Sequence, residues 1–436
     1  MDEIIEPKTL RGFRDSLPET ELSKTRIEEK LAATFRRYGF VPIDTPALEY
    51  AEILLGKGGG ETDKQVYRFL DHGHRDVALR FDLTVPFARF MAAHLHELYL
   101  PFKRYHIGKV WRGENPQRGR YREFIQVDFD IVGVDSASAD FEILSVMRDG
   151  LKALGIEEFQ IHVSHRELLN ELLRAMGSGE QYLPVLRAVD KLKKIGEEQV
   201  GELLGELLGP EGARRVLDFV RREDTDRRTL RKLAETVGER SAPLLRMGQL
   251  LECVRECGLE PTITLDPSIT RGLDYYTGMV CEAFLDRLPE FGAICGGGRY
   301  NDLASLYTRE KLPGVGASIG LDRLLSALEE LGLGRVSRTA PDLLILLLEE
   351  GLLAHCQGLA SRLRQEGLAV EVYPESRKLA QQLKYAEKRQ IPLSIFYGEE
   401  EHAGRRYTLK DLRSRRSYED LSFESLRDTV RRLLST

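Results

Sequence analysis

The sequence predicts an α+β fold: a mostly antiparallel sheet flanked by helices and interrupted by a helical insertion, then a separate C-terminal α/β domain. Three stretches carry that reading. Residues 102 to 133, FKRYHIGKVWRGENPQRGRYREFIQVDFDIVG, alternate in polarity on both sides of a glycine- and arginine-rich loop, as a long antiparallel hairpin does. From Arg166 to Leu259 the chain becomes charged and leucine-rich with helical periodicity and few strand signals. Beyond residue 341 the segments PDLLILLLEE, LAVEVYPES and IPLSIFYGEE alternate with helical runs.

Taken in order, residues 20 to 37 place Leu22, Ile27, Leu31 and Phe35 near helical spacing, and Tyr38 and Gly39 end that helix. FVPIDTP follows as a short extended segment, because Pro46 biases Thr45 away from helical geometry. In LRFDLTVPFARF, Asp82 and Thr84 alternate with Phe81 and Leu83, which predicts a short strand with its polar groups on one side. After the insertion, TITLDPSITRGLDYYTGMVCEAF returns to strand-like alternation, and GGGRYNDLASL and GVGASIGLDRLLSALEEL join glycine-rich segments to helical runs. The expected organisation is a first part of the core at residues 1–165, the insertion at 166–259, a second part at 260–331, a linker at 332–341 and the C-terminal domain at 342–436.

At 436 residues the chain has room for two or three domains. Its 42% hydrophobic and 31% charged residues leave no compositional case for a disordered or fibrous chain. A net charge of -6 argues against a small, uniformly basic nucleic-acid-binding module and leaves room for a local basic groove. The five scattered cysteines do not make a disulfide framework, so a reducing compartment is expected. No apolar signal region follows the acidic start MDEIIEPKTL, and the longest apolar run, Leu343 to Leu348, is too short to span a bilayer. The expectation is a cytoplasmic protein with no membrane partner.

The hairpin is the richest stretch for chemistry. On its second strand Gln126, Asp128 and Asp130 share one face and Val127, Phe129 and Ile131 the other. On the first, Arg104, His106, Gly108, Val110 and Arg112 share a face, with Arg112 where strand meets loop. An arginine beside inward carboxylates fits a site handling both anionic and cationic groups, and a half-solvated sheet fits the same pattern. The loop holds Arg112, Arg118, Arg120 and Arg122, whose guanidiniums suit phosphate oxygens; a solvated basic loop is the plainer reading. Asp82 suits a substrate ammonium or a surface ion pair with Arg80.

Other patterns carry less. GKGGGETDK lacks the terminal Lys-Ser/Thr of a phosphate-binding loop, and GVGASIG has the wrong glycine spacing for a dinucleotide fingerprint. Cys253 and Cys257 have helical spacing with no paired Cys or His motif, so no metal ligands are assigned. His72, His74, His94 and His96 read as ordinary surface or core histidines.

Together these segments resemble the class II aminoacyl-tRNA synthetases, and within them the histidyl-tRNA synthetases. YGFVPIDTPALE resembles motif 1, the long hairpin motif 2 and GVGASIGLDRL motif 3, while TRGLDYYTGMVCEAF and ICGGGRYNDL resemble segments of the histidyl enzymes in particular. IPLSIFYGEEE followed by YTLKDLRS resembles the family's anticodon-binding fold, so the resemblance covers nearly the whole chain.

It implies activation of histidine with ATP to histidyl-adenylate, then transfer to the terminal adenosine of histidine tRNA, with Mg2+ accompanying ATP. By that resemblance the catalytic arginines are Arg112 and Arg271 on opposite sides of the α-phosphate and Arg323 at the γ-phosphate. Phe124 stacks on adenine, Glu114 contacts its edge and Arg120 helps hold the nucleotide. Asp82, Thr84 and Gln126 hold the α-amino group, Asp130 and Tyr276 read the imidazole nitrogens, and Arg112, Arg271 and Tyr275 complete the histidine contacts. A carboxylate and a hydroxyl together satisfy the donor and acceptor of a neutral imidazole. A pocket of buried polar groups rejects analogues lacking those groups by roughly four to five orders of magnitude, so no editing domain is needed. Positions 82 and 130 carry aspartate where many bacterial members have glutamate, which shortens each carboxylate by one methylene. Asn115 and Gln117 fall near the tRNA acceptor end. In the C-terminal domain Arg377, Lys378, Lys384, Lys388, Arg405, Arg406, Lys410, Arg413, Arg415 and Arg416 supply charge for tRNA phosphates. A homodimer joined through motif 1 is also implied.

A rival reading is the non-catalytic regulatory subunit of ATP phosphoribosyltransferase in histidine biosynthesis, a paralogue of the synthetase core. Such paralogues usually lack an anticodon-binding domain and an intact segment around Arg271, and this sequence has both. A regulatory RNA-binding protein that senses uncharged tRNA is a third reading, disfavoured by the intact set of arginines.

Overall fold

The computed structural model describes residues 5–56, 65–115, 119–270, 275–333 and 341–435. The chain divides into two compact units, Met1–Asp15 with Lys24–Gly334 and Ser16–Ser23 with Arg335–Thr436.

The strands of the first unit are β1 (Val41–Pro42), β2 (Leu48–Tyr50), β3 (Arg68–Leu70), β4 (Asp76–Leu79), β5 (Phe102–Trp111), β6 (Glu123–Val132), β7 (Phe159–His165), β8 (Ile263–Leu265), β9 (Met279–Leu285), β10 (Cys295–Arg299) and β11 (Gly314–Gly320). Eight of them form one sheet in the order β1-β5-β6-β11-β10-β9-β7-β8, and β2-β4-β3 form a small second sheet. In the large sheet β1 runs parallel to β5 and β8 to β7, and the pairings between are antiparallel.

Strand alternation in β6 decides which face becomes core. Val127, Phe129 and Ile131 are buried with Leu31 and Phe35 of helix Pro18–Arg37 and with Ile143, Leu144 and Met147 of helix Ala137–Ala153. The Phe35 and Phe129 rings lie 5.1 Å apart. Each side chain of this size contributes roughly 1.5–3 kcal/mol on leaving water. Gln126, Asp128 and Asp130 therefore emerge on the opposite face, in register with Gly108, His106 and Arg104 of β5 and with Gly320, Ser318 and Gly316 of β11.

Between β7 and β8 the chain is helical: Arg166–Ala175, Tyr182–Val189, Leu192–Val220, Asp226–Val237 and Ala242–Glu256. The long middle segment breaks at Gly196 and Gly209, whose φ of 87° and 75° lie in the region that favours glycine. Asp140, fully buried, accepts from Arg246 Nε and from Arg299 Nη2, each at 2.7 Å. This ties the last of those helices and the end of β10 to helix Ala137–Ala153. A carboxylate with two guanidiniums is fully satisfied there, whereas removing either arginine would leave it short of partners.

One local expectation fails. Residues 80–84 are not a strand; they turn into helix Thr84–His94, and Asp82 Oδ1 accepts the Val85 N–H at 3.1 Å. A short acidic side chain three residues ahead of a free helical N–H satisfies it better than sheet pairing would, and Pro86 fits the first turn.

The second unit has β12 (Leu343–Ile345), β13 (Val370–Val372), β14 (Leu393–Phe396), β15 (Tyr407–Asp411) and β16 (Ser417–Leu421), ordered β13-β12-β14-β15-β16. The three expected strands are the parallel part, and the hairpin β15–β16 completes the sheet. Helices Leu353–Gln365 and Phe423–Leu434 share a core with β12 and β14 through Leu359, Leu363, Leu426 and Val430. No helix among the described residues is long and apolar enough to cross a membrane.

Candidate active site

The polar face of β6 supplies two carboxyls of a floor, Asp128 and Asp130, and the turn before helix Thr84–His94 supplies a third, Asp82. Asp82, Asp128 and Asp130 are 1%, 1% and 2% exposed, so each has lost nearly all its water. Asp130 is held by Arg104, whose Nη2 lies 2.8 Å away, and by the Tyr300 hydroxyl, which donates to it. Arg104 is itself fully buried and lies 4.2 Å over the Phe87 ring. Asp82 accepts from the Tyr275 hydroxyl at 3.3 Å. Asp128 accepts from Gln126 Nε2 at 3.3 Å and from the Thr84 hydroxyl at 3.5 Å.

Burial sets the protonation of this floor. It pushes Asp82 up to about 6, with the neighbouring Asp128 adding to the rise and the Val85 N–H opposing it. It pushes Asp130 up to about 7 against the pull of Arg104, and raises Asp128 as well. His106, opposite Asp128, is driven down to about 3 by burial and by Arg104 and Arg80, so it stays neutral and adds no compensating charge. Such a floor favours a cationic ligand, which would let the carboxyls ionise.

Above it opens a cavity of about 520 Å³, lined by Arg112, Glu114, Arg120, Phe124, Gln126, Tyr276 and Arg323 among others. Arg112 is fixed by Nε to the Phe81 carbonyl at 2.9 Å and by Nη2 to Gln126 Oε1 at 3.2 Å, with its guanidinium 5.2 Å from the Phe124 ring centre. Arg323 sits in the first turn of helix Leu321–Glu330. Its neighbour Asp322 accepts the Ile125 N–H at 3.1 Å, so the arginine-bearing turn is fastened to β6. The cavity thus sets fixed guanidiniums beside an aromatic ring, above an acidic floor.

Asp82, Thr84 and Asp130 are buried and do not themselves line that cavity, where Gln126 and Tyr276 do; Tyr275 lies against Asp82. Arg271, Gln117 and Arg118 lie outside the described residues. Arg80 is not a surface partner of Asp82: it is 5% exposed and donates to the carbonyls of Thr45 and Lys109. Sequence reasoning assigned no role to Tyr300 or Asp128. Strand alternation grouped Asp128 with Gln126 and Asp130, and Arg104 with Arg112; Tyr300 lies in the segment ICGGGRYNDL, but its contact with Asp130 across 170 positions had no local signal. Glycines make room for this packing: a Cβ on Gly316 would fall 2.0 Å from Asp130 Oδ1, and one on Gly298 would fall 3.0 Å from the Tyr276 ring. Among the described residues no group of three His, Cys, Asp or Glu side chains is arranged to hold a metal ion.

A profile of the family Histidyl-tRNA synthetase matches residues 12–324. The chain belongs to the histidyl-tRNA synthetase family. A profile of the anticodon binding domain matches residues 342–433 of the synthetase. The histidine–tRNA ligase of Treponema denticola is 51% identical over 403 residues, covering 91% of this chain and 90% of that protein. That of Rhodopirellula baltica is 45% identical over 421 residues, covering 95% of each. The crystal structure of histidyl-tRNA synthetase from a Nostoc species superposes with a TM-score of 0.89 at 32% identity, covering 98% of this chain and 100% of that one. A Bacillus halodurans structure described as an ATP phosphoribosyltransferase regulatory subunit/histidyl-tRNA synthetase shares the fold at 24% identity and a TM-score of 0.74. In this synthetase the hairpin β5–β6 and strand β11 with its following helix build the cavity, while β10 closes it with Gly296 and Gly297.

Proposed function

We propose that the cavity over β6 activates histidine, within the family's overall reaction of histidine–tRNA ligation at the expense of ATP. A carboxylate oxygen of histidine attacks the α-phosphorus, the bond to pyrophosphate breaks, and histidyl-adenylate forms. A ribose hydroxyl of the tRNA's terminal adenosine then attacks the carbonyl carbon and AMP leaves. Charge accumulates on the α-phosphate oxygens and the departing pyrophosphate, so preorganised cations there lower the barrier.

The observation that carries the assignment is Arg112, hydrogen-bonded to Gln126 of the floor with its guanidinium 5.2 Å from the ring centre of Phe124 in the wall. It is the hinge between an amino-acid subsite and a nucleotide subsite. On this reading Arg112 and Arg271 flank the α-phosphate, Arg323 meets the γ-phosphate, and Phe124, Glu114 and Arg120 hold the nucleoside. Asp82, Thr84 and Gln126 take the ammonium, Asp130 and Tyr276 the imidazole, and Tyr275 supports Asp82. ATP enters as its Mg2+ complex, the ion easing repulsion between phosphate oxygens.

For tRNA, the second unit exposes Arg377, Lys378, Arg405, Arg413, Arg415 and Arg416. Arg413 and Arg415 also line a cavity of about 630 Å³ with Lys410 and Gln390, which suits a phosphate-linked base. The synthetase acts in the cytoplasm as a homodimer. Support for the dimer comes from Leu48, Tyr50 and Phe69, which are 41%, 50% and 48% exposed on the small sheet beside motif 1.

Histidine-dependent exchange of pyrophosphate into ATP tests the proposal. Exchange with histidine and not with tyrosine or glutamine, abolished by Arg271→Ala, is expected. Histidine binding without exchange in folded protein would favour the regulatory paralogue instead.

A further inference from the structure

The ammonium subsite has a polarity problem. An ammonium offers three donors and no acceptor, so every group facing it must accept. Thr84 and Gln126 each carry donors as well as acceptors, and a donor turned toward the substrate would repel it.

Asp128 resolves this. Its carboxylate, buried behind both residues, accepts from the Thr84 hydroxyl at 3.5 Å and from Gln126 Nε2 at 3.3 Å. The second proton of that amide goes to Ser318 Oγ at 2.7 Å, so the Gln126 donors are spoken for. The orientation of the amide follows from its neighbours: Arg112, which can only donate, meets Oε1 at 3.2 Å. A flipped amide would set its NH2 against the guanidinium and its oxygen against the Asp128 carboxylate. The Thr84 hydroxyl has two neighbours for its one proton, Asp128 Oδ2 at 3.5 Å and the Tyr275 oxygen, and with the proton so placed it likewise presents lone pairs. Ser318 stands directly across β11 from Asp128 and completes the frame.

We propose that Asp128 is a specificity-determining positioning residue: it does not contact the substrate but fixes Thr84 and Gln126 as acceptors, so that the subsite selects an α-ammonium. The inference rests on the assignment of Asp82, Thr84 and Gln126 to the amino group. It gives Asp128 a job distinct from that of Asp130, which Arg104 and Tyr300 already engage.

The test compares histidine with 3-(imidazol-4-yl)propanoate, which keeps imidazole and carboxylate and lacks the amine. Affinities of both are measured by calorimetry for wild type, Asp128→Asn and Asp82→Asn. An Asn at 128 can donate as well as accept, so it no longer holds the Thr84 proton and sets a donor beside the Gln126 amide, which Arg112 and Ser318 alone then orient. Asp128→Asn is expected to reduce the preference for histidine over the analogue by about tenfold or more, the scale of a hydrogen bond to a charged group, with the analogue's own affinity little changed. Equal weakening of both ligands would make Asp128 merely structural and overturn the inference. If Asp82→Asn removes the preference and Asp128→Asn keeps it, the inference falls and the subsite assignment stands. If neither changes it, the amino-group assignment itself falls. Should Asp128→Asn fail to fold by thermal melting, Asp128→Ser, too short to reach both groups, carries the same expectation.

Discussion

Arg104 and Asp130 face each other across β5 and β6, 2.8 Å apart, at 0% and 2% exposure. A buried pair of this kind adds little net stability over an apolar pair, but breaking it leaves one charge stranded. Arg104→Leu is therefore expected to cost about 3–5 kcal/mol at a pH above the Asp130 value of about 7, where the carboxyl is ionised in the wild type. The deficit should shrink in acid, where Asp130 is protonated and no longer needs a cation. Urea unfolding at two pH values checks this; a deficit that is equal at both would show that the pair does not govern the effect.

The floor also predicts a pH dependence. Asp82 rises from its ordinary 3.8 to about 6 on folding. A carboxyl whose pKa rises on folding contributes fully below the unfolded value, and that contribution is lost as pH climbs through the folded one. The ligand-free protein thus loses stability from this group between about pH 4 and 6, and Asp130 extends the loss to about 7. An ammonium favours the ionised carboxylates, so histidine binding near pH 6 should release protons. Calorimetry in buffers of different ionisation enthalpy reads that release directly, and proton uptake would contradict the assignment.

Gly316→Ala tests the crowding under Asp130. The added methyl would meet Asp130 Oδ1 at 2.0 Å and the Phe129 carbonyl oxygen at 2.8 Å, so carboxyl or strand must move. Overpacking of this sort costs about 1–3 kcal/mol. Because Asp130 is assigned to the imidazole, KM for histidine should rise well beyond KM for ATP in pyrophosphate exchange. A variant with wild-type stability and unchanged KM for histidine would place that carboxyl away from the substrate.

Much of this arrangement was legible because a strand has a period of two. With β5 and β6 as a hairpin, alternation groups Gln126, Asp128 and Asp130 on one strand and Arg104 with Arg112 on the other, while the register that sets Arg104 opposite Asp130 is visible only in the structure. Asp82 was misread for the same reason: its alternation with Phe81 and Leu83 imitates a strand, and only the hydrogen bond to Val85 reveals a helix start. The hairpin β15–β16 hid behind charge, since β16 is an exposed edge whose outward residues need not be apolar. Tyr300 sits in the segment ICGGGRYNDL, but its contact with Asp130 could not be found from local pattern. Its partner is fixed by where β10 and β11 bring the chain, not by its neighbours in sequence.

The N-terminal segment offers the last test. Arg14 lies 3.8 Å over the Tyr121 ring, donates to the Tyr121 hydroxyl at 2.8 Å and reaches Asp322 at 2.5 Å. Arg122 N–H donates to the Gly12 carbonyl at 2.8 Å, so residues 12 and 14 grip the chain on both sides of Tyr121, in the cavity wall proposed to hold the nucleotide. Asp322 keeps a second cation in Lys24, 3.2 Å away, and a backbone partner in Ile125, so losing Arg14 loosens the wall without unfolding it. Arg14→Ala is therefore expected to raise KM for ATP about three- to tenfold, roughly the value of one partly exposed charged contact, and to leave KM for histidine unchanged. Arg14→Lys should recover part of the loss through Asp322 but not the stacking on Tyr121, which needs a planar guanidinium. Equal changes in both KM values would instead place the segment among the supports of the whole site.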